Sequence, residues 1–180
     1  MPLYLIELKP AEATRESVGD LIEKVVSAVG SGDGELIETQ VTSDHRIVFV
    51  VVEADSPRFA SPVVKAVEGS AEIAGPDEVR LVGAELDDIK KLKSHADYLV
   101  EWDIPAEITM DQYLARKKAN SPKYAEVPEV SFLRTYVRED TAKCLCFYDA
   151  PDEDAVTRAR AAVQTPIDRQ AGRLRGFPNA

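Results

Sequence analysis

"LYLIELKPAEAT", residues 3–14, and "DYLVEWDIPAEIT", residues 97–109, are one phrase written twice. Tyr4-Leu5-Ile6-Glu7 aligns with Tyr98-Leu99-Val100-Glu101, and Pro10-Ala11-Glu12 with Pro105-Ala106-Glu107 after a slip of one residue. Further on, "IETQVTSDHRIVFVVVEA" (37–54) aligns without gaps to "LRTYVREDTAKCLCFYDA" (133–150), and "SPRFASPVVKAV" falls on "DEDAVTRARAAV". Each half closes on a short mixed run, "DEVRLVG" and "DRQAGRL". Self-similarity that keeps its order over most of a chain is the mark of a tandem duplication.

Each half reads strand, helix, strand, strand, helix, strand. The first strand alternates, with Tyr4, Ile6 and Leu8 on one side and Leu5, Glu7 and Lys9 on the other. Thr14 is placed to cap the first helix, whose stripe is Val18, Leu21, Ile22, Val25, Val26 and Val29. Thr109-Met-Asp-Gln112 is a capping box. Pro57 opens the second helix, where its missing N–H costs nothing, and Pro62 kinks or delays it. The order β-α-β-β-α-β is the ferredoxin-like split unit. The expected fold class is therefore α+β: two tandem ferredoxin-like repeats packed sheet to sheet as a pseudo-dimeric barrel. Residues 1–86 are read as the first repeat, 87–96 as a helical linker and 97–180 as the second repeat.

Parity assigns faces. With the hairpin turns at Ser43-Asp44 and Glu139-Asp140, Arg138 would oppose Thr141, Tyr136 Lys143, Arg134 Leu145, and Phe132 Phe147. Leu133, Thr135 and Val137, with Cys144 and Cys146, would face the helices, as would Ile37, Thr39 and Val41 in the first copy. Phe132, Arg134, Tyr136, Lys143, Leu145 and Phe147 would lie on the bare face. Leu36, Glu38, Gln40, Ile47, Phe49 and Val51 are their counterparts in the first copy. Polar groups written into otherwise apolar strands need partners or a cavity. Glu7, Glu38, Glu101, Arg134, Tyr136 and Lys143 are accordingly the candidate ligand-binding residues.

Composition narrows the function classes. Of 180 residues, 44% are hydrophobic, which fits a globular chain. Residues 1–90 hold 8 Lys and Arg against 18 Asp and Glu, giving an acidic half and no basic stripe, so nucleic acid is excluded as a partner. No run of about 18 apolar residues argues for a membrane span, and the N-terminus lacks the basic region of a signal peptide. Two cysteines, one residue apart, fit a reducing cytosol, and the expected location is cytoplasmic. Cys144-x-Cys146 lacks zinc-knuckle spacing and reads as core packing. His45 beside a hairpin tip and His95 in the linker read as surface residues. Arg116-Lys117-Lys118 reads as a solvated helix face. Nucleotide-loop and nucleophile-elbow motifs are absent.

Residues 97–170 resemble a small bacterial family of unknown function whose members are sometimes described as nickel-binding. The features that carry the resemblance are Tyr98-Leu99-Val100-Glu101, Tyr136-Val137 leading through Asp140 to Lys143 and Cys146, and Tyr148-Asp149-Ala150-Pro151-Asp152. It implies ferredoxin-like domains that pair as α+β barrels. Relatives commonly carry a histidine in the helix after the Ala-Pro-Asp turn, where this chain has Arg158 and Arg160. The leading expectation is a binding protein that holds a small molecule or a divalent metal between the sheets. Two others stand beside it: an oxygenase or isomerase using Glu101 as acid or base, and an interaction module without a pocket. No cofactor is assigned. Duplication removes the need for a partner to close the barrel, so a monomer is expected over a homodimer.

Overall fold

The computed structural model describes residues 1–91, 96–172 and 175–176. The first repeat runs β1 (Leu3–Pro10), α1 (Arg15–Ser31), β2 (Glu35–Val41), β3 (Val48–Glu53), a 3₁₀ turn (Pro57–Phe59) into α2 (Ala60–Val67), and β4 (Ala71–Val82). α3 (Leu86–Lys91) follows. The second runs β5 (Tyr98–Asp103), α4 (Met110–Asn120), a 3₁₀ stretch (Ser121–Glu126), β6 (Ser131–Arg138), β7 (Lys143–Asp149), α5 (Glu153–Ala162) and β8 (Arg169–Gly172), with β9 (Arg175–Gly176) after it. The chain thus carries two tandem ferredoxin-like repeats of the α+β class. In the first, β1 lies between β4 and β3, and β3 between β1 and β2. In the second, β5 lies between β8 and β7, and β7 between β5 and β6. All these pairings are antiparallel, and the two orders are equivalent.

The compact units do not follow the chain linearly. Among the described residues, one comprises 1–79, 85–91 and 175–176, the other 80–84 and 96–172. Within the first, β9 adds to the free side of β2, opposite Gln40 and Val41. The helical reading of the linker holds for Leu86–Lys91, where Ile89 is buried. His95 lies outside the described residues.

Local chemistry sets the elements as expected. Thr14 Oγ1 accepts from the Ser17 N–H at 3.1 Å. The Thr109–Gln112 box closes in both directions, at 3.2 and 3.0 Å. Ser56 caps the Pro57 turn, and regular helix begins only at Ala60. Val18, Leu21, Ile22, Val25 and Val29 of α1 pack on Tyr4, Ile6 and Leu8 of β1. Each such side chain contributes on the order of 2 kcal/mol by leaving water.

The hairpins correct the expected register by two residues. Val137 pairs Cys144, Tyr136 pairs Leu145 and Arg134 pairs Phe147. An even shift preserves the faces, so Cys144, Cys146 and Val137 join the helix-side core as expected. A β-bulge between Phe132 and Arg134 then reverses parity for the last residues. Phe132 therefore packs on the helix side, stacked at 5.4 Å on Tyr124, and not on the bare face. The same bulge recurs between Leu36 and Glu38, and it turns Leu36 into the first helix-side core. Both bulges fall on residues that the internal alignment equates, Ile37 and Leu133.

The hairpin tips repeat as well. His45 and Thr141 both take positive φ, 61° and 59°. Their N–H groups close turns on the Thr42 and Arg138 carbonyls, at 2.9 and 2.8 Å. Asp44 and Asp140 each accept a backbone N–H two residues on, from Arg46 and Ala142.

Candidate functional site

The six candidate residues divide between the repeats. On the helix-free face of the first sheet, half-buried Glu7 stands opposite Phe49, and buried Glu38 stands opposite Val51. On the corresponding face of the second, Arg134 lays its guanidinium 5.0 Å over the Phe147 ring. Tyr136 meets the same ring edge-on at 5.9 Å. Glu101 is buried in the middle of β5, and its two oxygens accept from Lys143 Nζ at 3.1 Å and Arg169 Nε at 2.8 Å. Arg169 also forks onto Asp103 at 2.9 and 2.6 Å. That bond holds the Asp103 carboxyl below its ordinary range. The structure thus brings Glu101 and Lys143 together and adds Arg169, which the sequence places there only once β8 is known to pair with β5.

The opposite, helix-covered face of the second sheet holds a different cluster. Cys144 and Cys146 alternate along β7 with Leu145, so both thiols point toward α4 and α5. Cys146 Sγ accepts from Thr135 Oγ1 at 3.2 Å and Arg160 Nη1 at 3.4 Å. Cys144 and Tyr113 lie in the same buried cluster. Arg160 comes from α5, lies on the apolar side of that helix and is 2% exposed. Its other partners are the Tyr148 hydroxyl at 3.1 Å and the Pro166 carbonyl. Its Nε has no hydrogen-bond partner, and among the described residues no carboxylate pairs with it. Tyr124 and Tyr148 join hydroxyls at 2.6 Å.

These groups floor a cleft whose open mouth brings its volume to about 370 Å³. Trp102, Tyr113, Tyr124 and Val163 form apolar walls, and Arg116, Lys117, Asn120, Ser121 and Thr165 supply polar ones. Among the described residues no Asp or Glu lines it. Arg116 lies 5.5 Å over the Trp102 ring and Lys117 4.3 Å over Phe132. The basic run on α4, expected to be a plain solvated face, therefore gives two of its three members to the cleft, because their long stems lie along aromatic rings.

Burial and charge sort the titrating groups. The Cys146 thiol is held well below its ordinary range, first by the Cys144 hydrogen bond and then by Lys117, Arg160 and Thr135, against the desolvation that opposes them. Cys144 is pushed up by donating to Cys146 and by burial. Burial also raises Tyr113 and Tyr148, and it pushes Tyr124 up to about 12. The cleft thus concentrates positive charge and one thiol predisposed to ionise. The expectation of cysteines as buried core residues holds for their packing, while Arg160 is the partner that sequence reasoning missed. A charged residue in a helix reads as solvated until its face is known. The only signal was its spacing, four residues after Val156 and one after Ala159, on the apolar stripe of α5.

Among the described residues no group of three or more His, Cys, Asp or Glu is assembled that could hold a metal ion. No helix among them is long and apolar enough to cross a membrane.

Comparison with known proteins bears on the fold and on the second repeat. No curated protein matches the chain. A putative chlorite dismutase of known structure is 13% identical and superposes with a TM-score of 0.55, covering 99% of this chain and 96% of the other. A putative monooxygenase from Lactobacillus acidophilus NCFM gives 9% identity and 0.51, covering 99% and 94%. An anthrone oxidase-like protein gives 14% and 0.50, covering 97% and 90%. At such identities the likeness shows the fold. Residues 98–169 match the family described as nickel responsive protein SCO4226-like. The second repeat is thus similar to the SCO4226-like nickel-responsive proteins, within a chain of two ferredoxin-like α+β units.

Proposed function

We propose that the protein is a small-molecule-binding protein, and that the cleft of the second repeat takes a small organic anion, an aromatic carboxylate being the best match. One observation carries this reading. Arg160 is a buried guanidinium with an unsatisfied Nε and no carboxylate partner among the described residues, at the floor of a cleft lined by further cations. A buried donor left without an acceptor is costly, and a bound carboxylate supplies that acceptor with a charge suited to the cationic cleft. The aromatic walls suit a flat apolar body. Glu7, Glu38, Glu101, Arg134, Tyr136 and Lys143 remain a second set of polar groups. Glu101 in that set is already neutralised by two cations, which favours a structural role for it.

The family match makes a divalent metal the other ligand to test, although the described residues assemble no metal-ligating cluster. The experiment is a thermal-shift series with benzoate, phenylacetate, phosphate and Ni²⁺, on the wild type and on Arg160→Met. A ligand at a hundred times its Kd adds about 2.7 kcal/mol to stability. Benzoate or phenylacetate should raise Tm in the wild type and lose its effect in the variant. A response to Ni²⁺ alone, or to none of the four, overturns the reading.

A further inference from the structure

We infer that Cys146 is a peroxide-reactive thiol, and that the cleft it lines admits a small hydroperoxide. The geometry carries the inference. Two donors converge on one sulfur: the Thr135 hydroxyl at 3.2 Å and the Arg160 guanidinium at 3.4 Å. A sulfur that only fills a core has no use for a buried cation. A thiolate does, because its charge then has a partner, as the guanidinium's does. Cys146 and Arg160 both line the cleft, and Arg160 Nε has no partner in the protein, which leaves its N–H to donate to an oxygen of the oxidant. The inference does not require the organic anion proposed above, since it rests on the donors that meet the sulfur.

The step balances as follows. The Cys146 thiolate attacks one oxygen of R–O–O–H, the S–O bond forms and the O–O bond breaks. The departing RO⁻ takes a proton from water and leaves as ROH. Sulfur gives up two electrons, the peroxide is reduced by the same two, and Cys146 becomes a sulfenic acid. Cys144 stands two residues away on the same strand face, so its Cα is about 6.8 Å from that of Cys146, at the upper limit of disulfide geometry. The sulfenic acid is therefore the expected product. Thr135 and Arg160 act through the sulfur and are positioning residues.

The test treats the folded full-length chain with hydrogen peroxide in the presence of dimedone, and maps the adduct by mass spectrometry across a pH series. Wild type and Cys144→Ser, which keeps a donor at that site, should both carry the adduct on Cys146, with a rate that levels off below the ordinary thiol range near pH ~8.5. Arg160→Lys and Thr135→Val should move that midpoint upward and slow the reaction by about tenfold at neutral pH. A purely structural role for them would lower Tm without moving the midpoint. No adduct in either wild type or Cys144→Ser, an adduct confined to Cys144, or a wild-type midpoint at or above the ordinary thiol range would each refute the inference. The carboxylate thermal-shift series reads the other proposal separately, so either can fail alone.

Discussion

Glu101 shows what one carboxylate costs in the middle of a strand. It is buried, and the chain offsets its desolvation with Lys143, itself 17% exposed, and with Arg169, which is half exposed. Glu101→Gln leaves Lys143 beside a neutral amide. The expected loss is about 2–3 kcal/mol, at or just below the range for breaking a buried pair because Arg169 remains solvated. Urea unfolding measures it, and a variant as stable as wild type would show that the pair contributes nothing. The tyrosines of the cleft give a second prediction at this scale. Tyr124, pushed up to about 12 by burial, and Tyr148, raised by the same cause, favour the neutral phenol in the folded state. A raised folded value means the stabilisation is whole below the ordinary tyrosine pKa of 10.0 and is lost as pH climbs through the folded value. Unfolding free energy measured in that alkaline window should fall with pH, and Tyr124→Phe should flatten the slope. Glu101 was legible in the sequence because it interrupts an apolar strand. Arg160 was not, because helix charges are solvated by default and only the packed α5 reveals which side this one occupies.

At the scale of elements, the hairpins show where parity holds and where it fails. Alternation placed Cys144, Cys146, Tyr136 and Phe147 on their observed faces even though the expected register was two residues off. It failed at Phe132 and Leu36, because a bulge adds a residue to one strand and leaves no mark in an apolar pattern. The tips carry the third prediction. Thr141 is β-branched and sits at φ 59°, a conformation costing a non-glycine residue about 1–2 kcal/mol. Thr141→Gly should therefore raise stability by about 1 kcal/mol, less than the full strain because glycine also loosens the unfolded chain. Thermal unfolding checks it, and a drop in Tm would mean the turn depends on the threonine side chain. By contrast, Gly83→Ala should destabilise: its φ is 88°, and an added Cβ would lie 2.5 Å from Cε1 of Phe132.

For the whole molecule, duplication was readable from the order of matching segments, and the equivalent strand orders and paired bulges agree with it. How the chain is apportioned was not readable, since no local pattern says that residues 80–84 belong with the second unit or that residues 175–176 pair with β2. This yields the last prediction. Fragments cut as 1–96 and 97–180 each lack a piece that completes a unit: the first lacks the strand at 175–176 and the second lacks residues 80–84. Expressed separately, they should give poorly dispersed amide spectra, and mixed they should recover the native spectrum. Two fragments that fold fully alone would contradict the assignment of those segments.

The return of β9 to β2 also sets a schedule for synthesis. Ribosomes add about 5–20 residues per second, and domains ordinarily fold in the order they emerge. Here the strand bearing Gln40 and Val41 is made early, yet the partner for that edge is encoded some 135 residues later, at 175–176. The nascent first repeat must therefore carry an open sheet edge while the second repeat is translated. Such an edge is the kind that recruits other strands, so for those seconds the growing chain depends on chaperone cover or dilution more than the finished protein ever does.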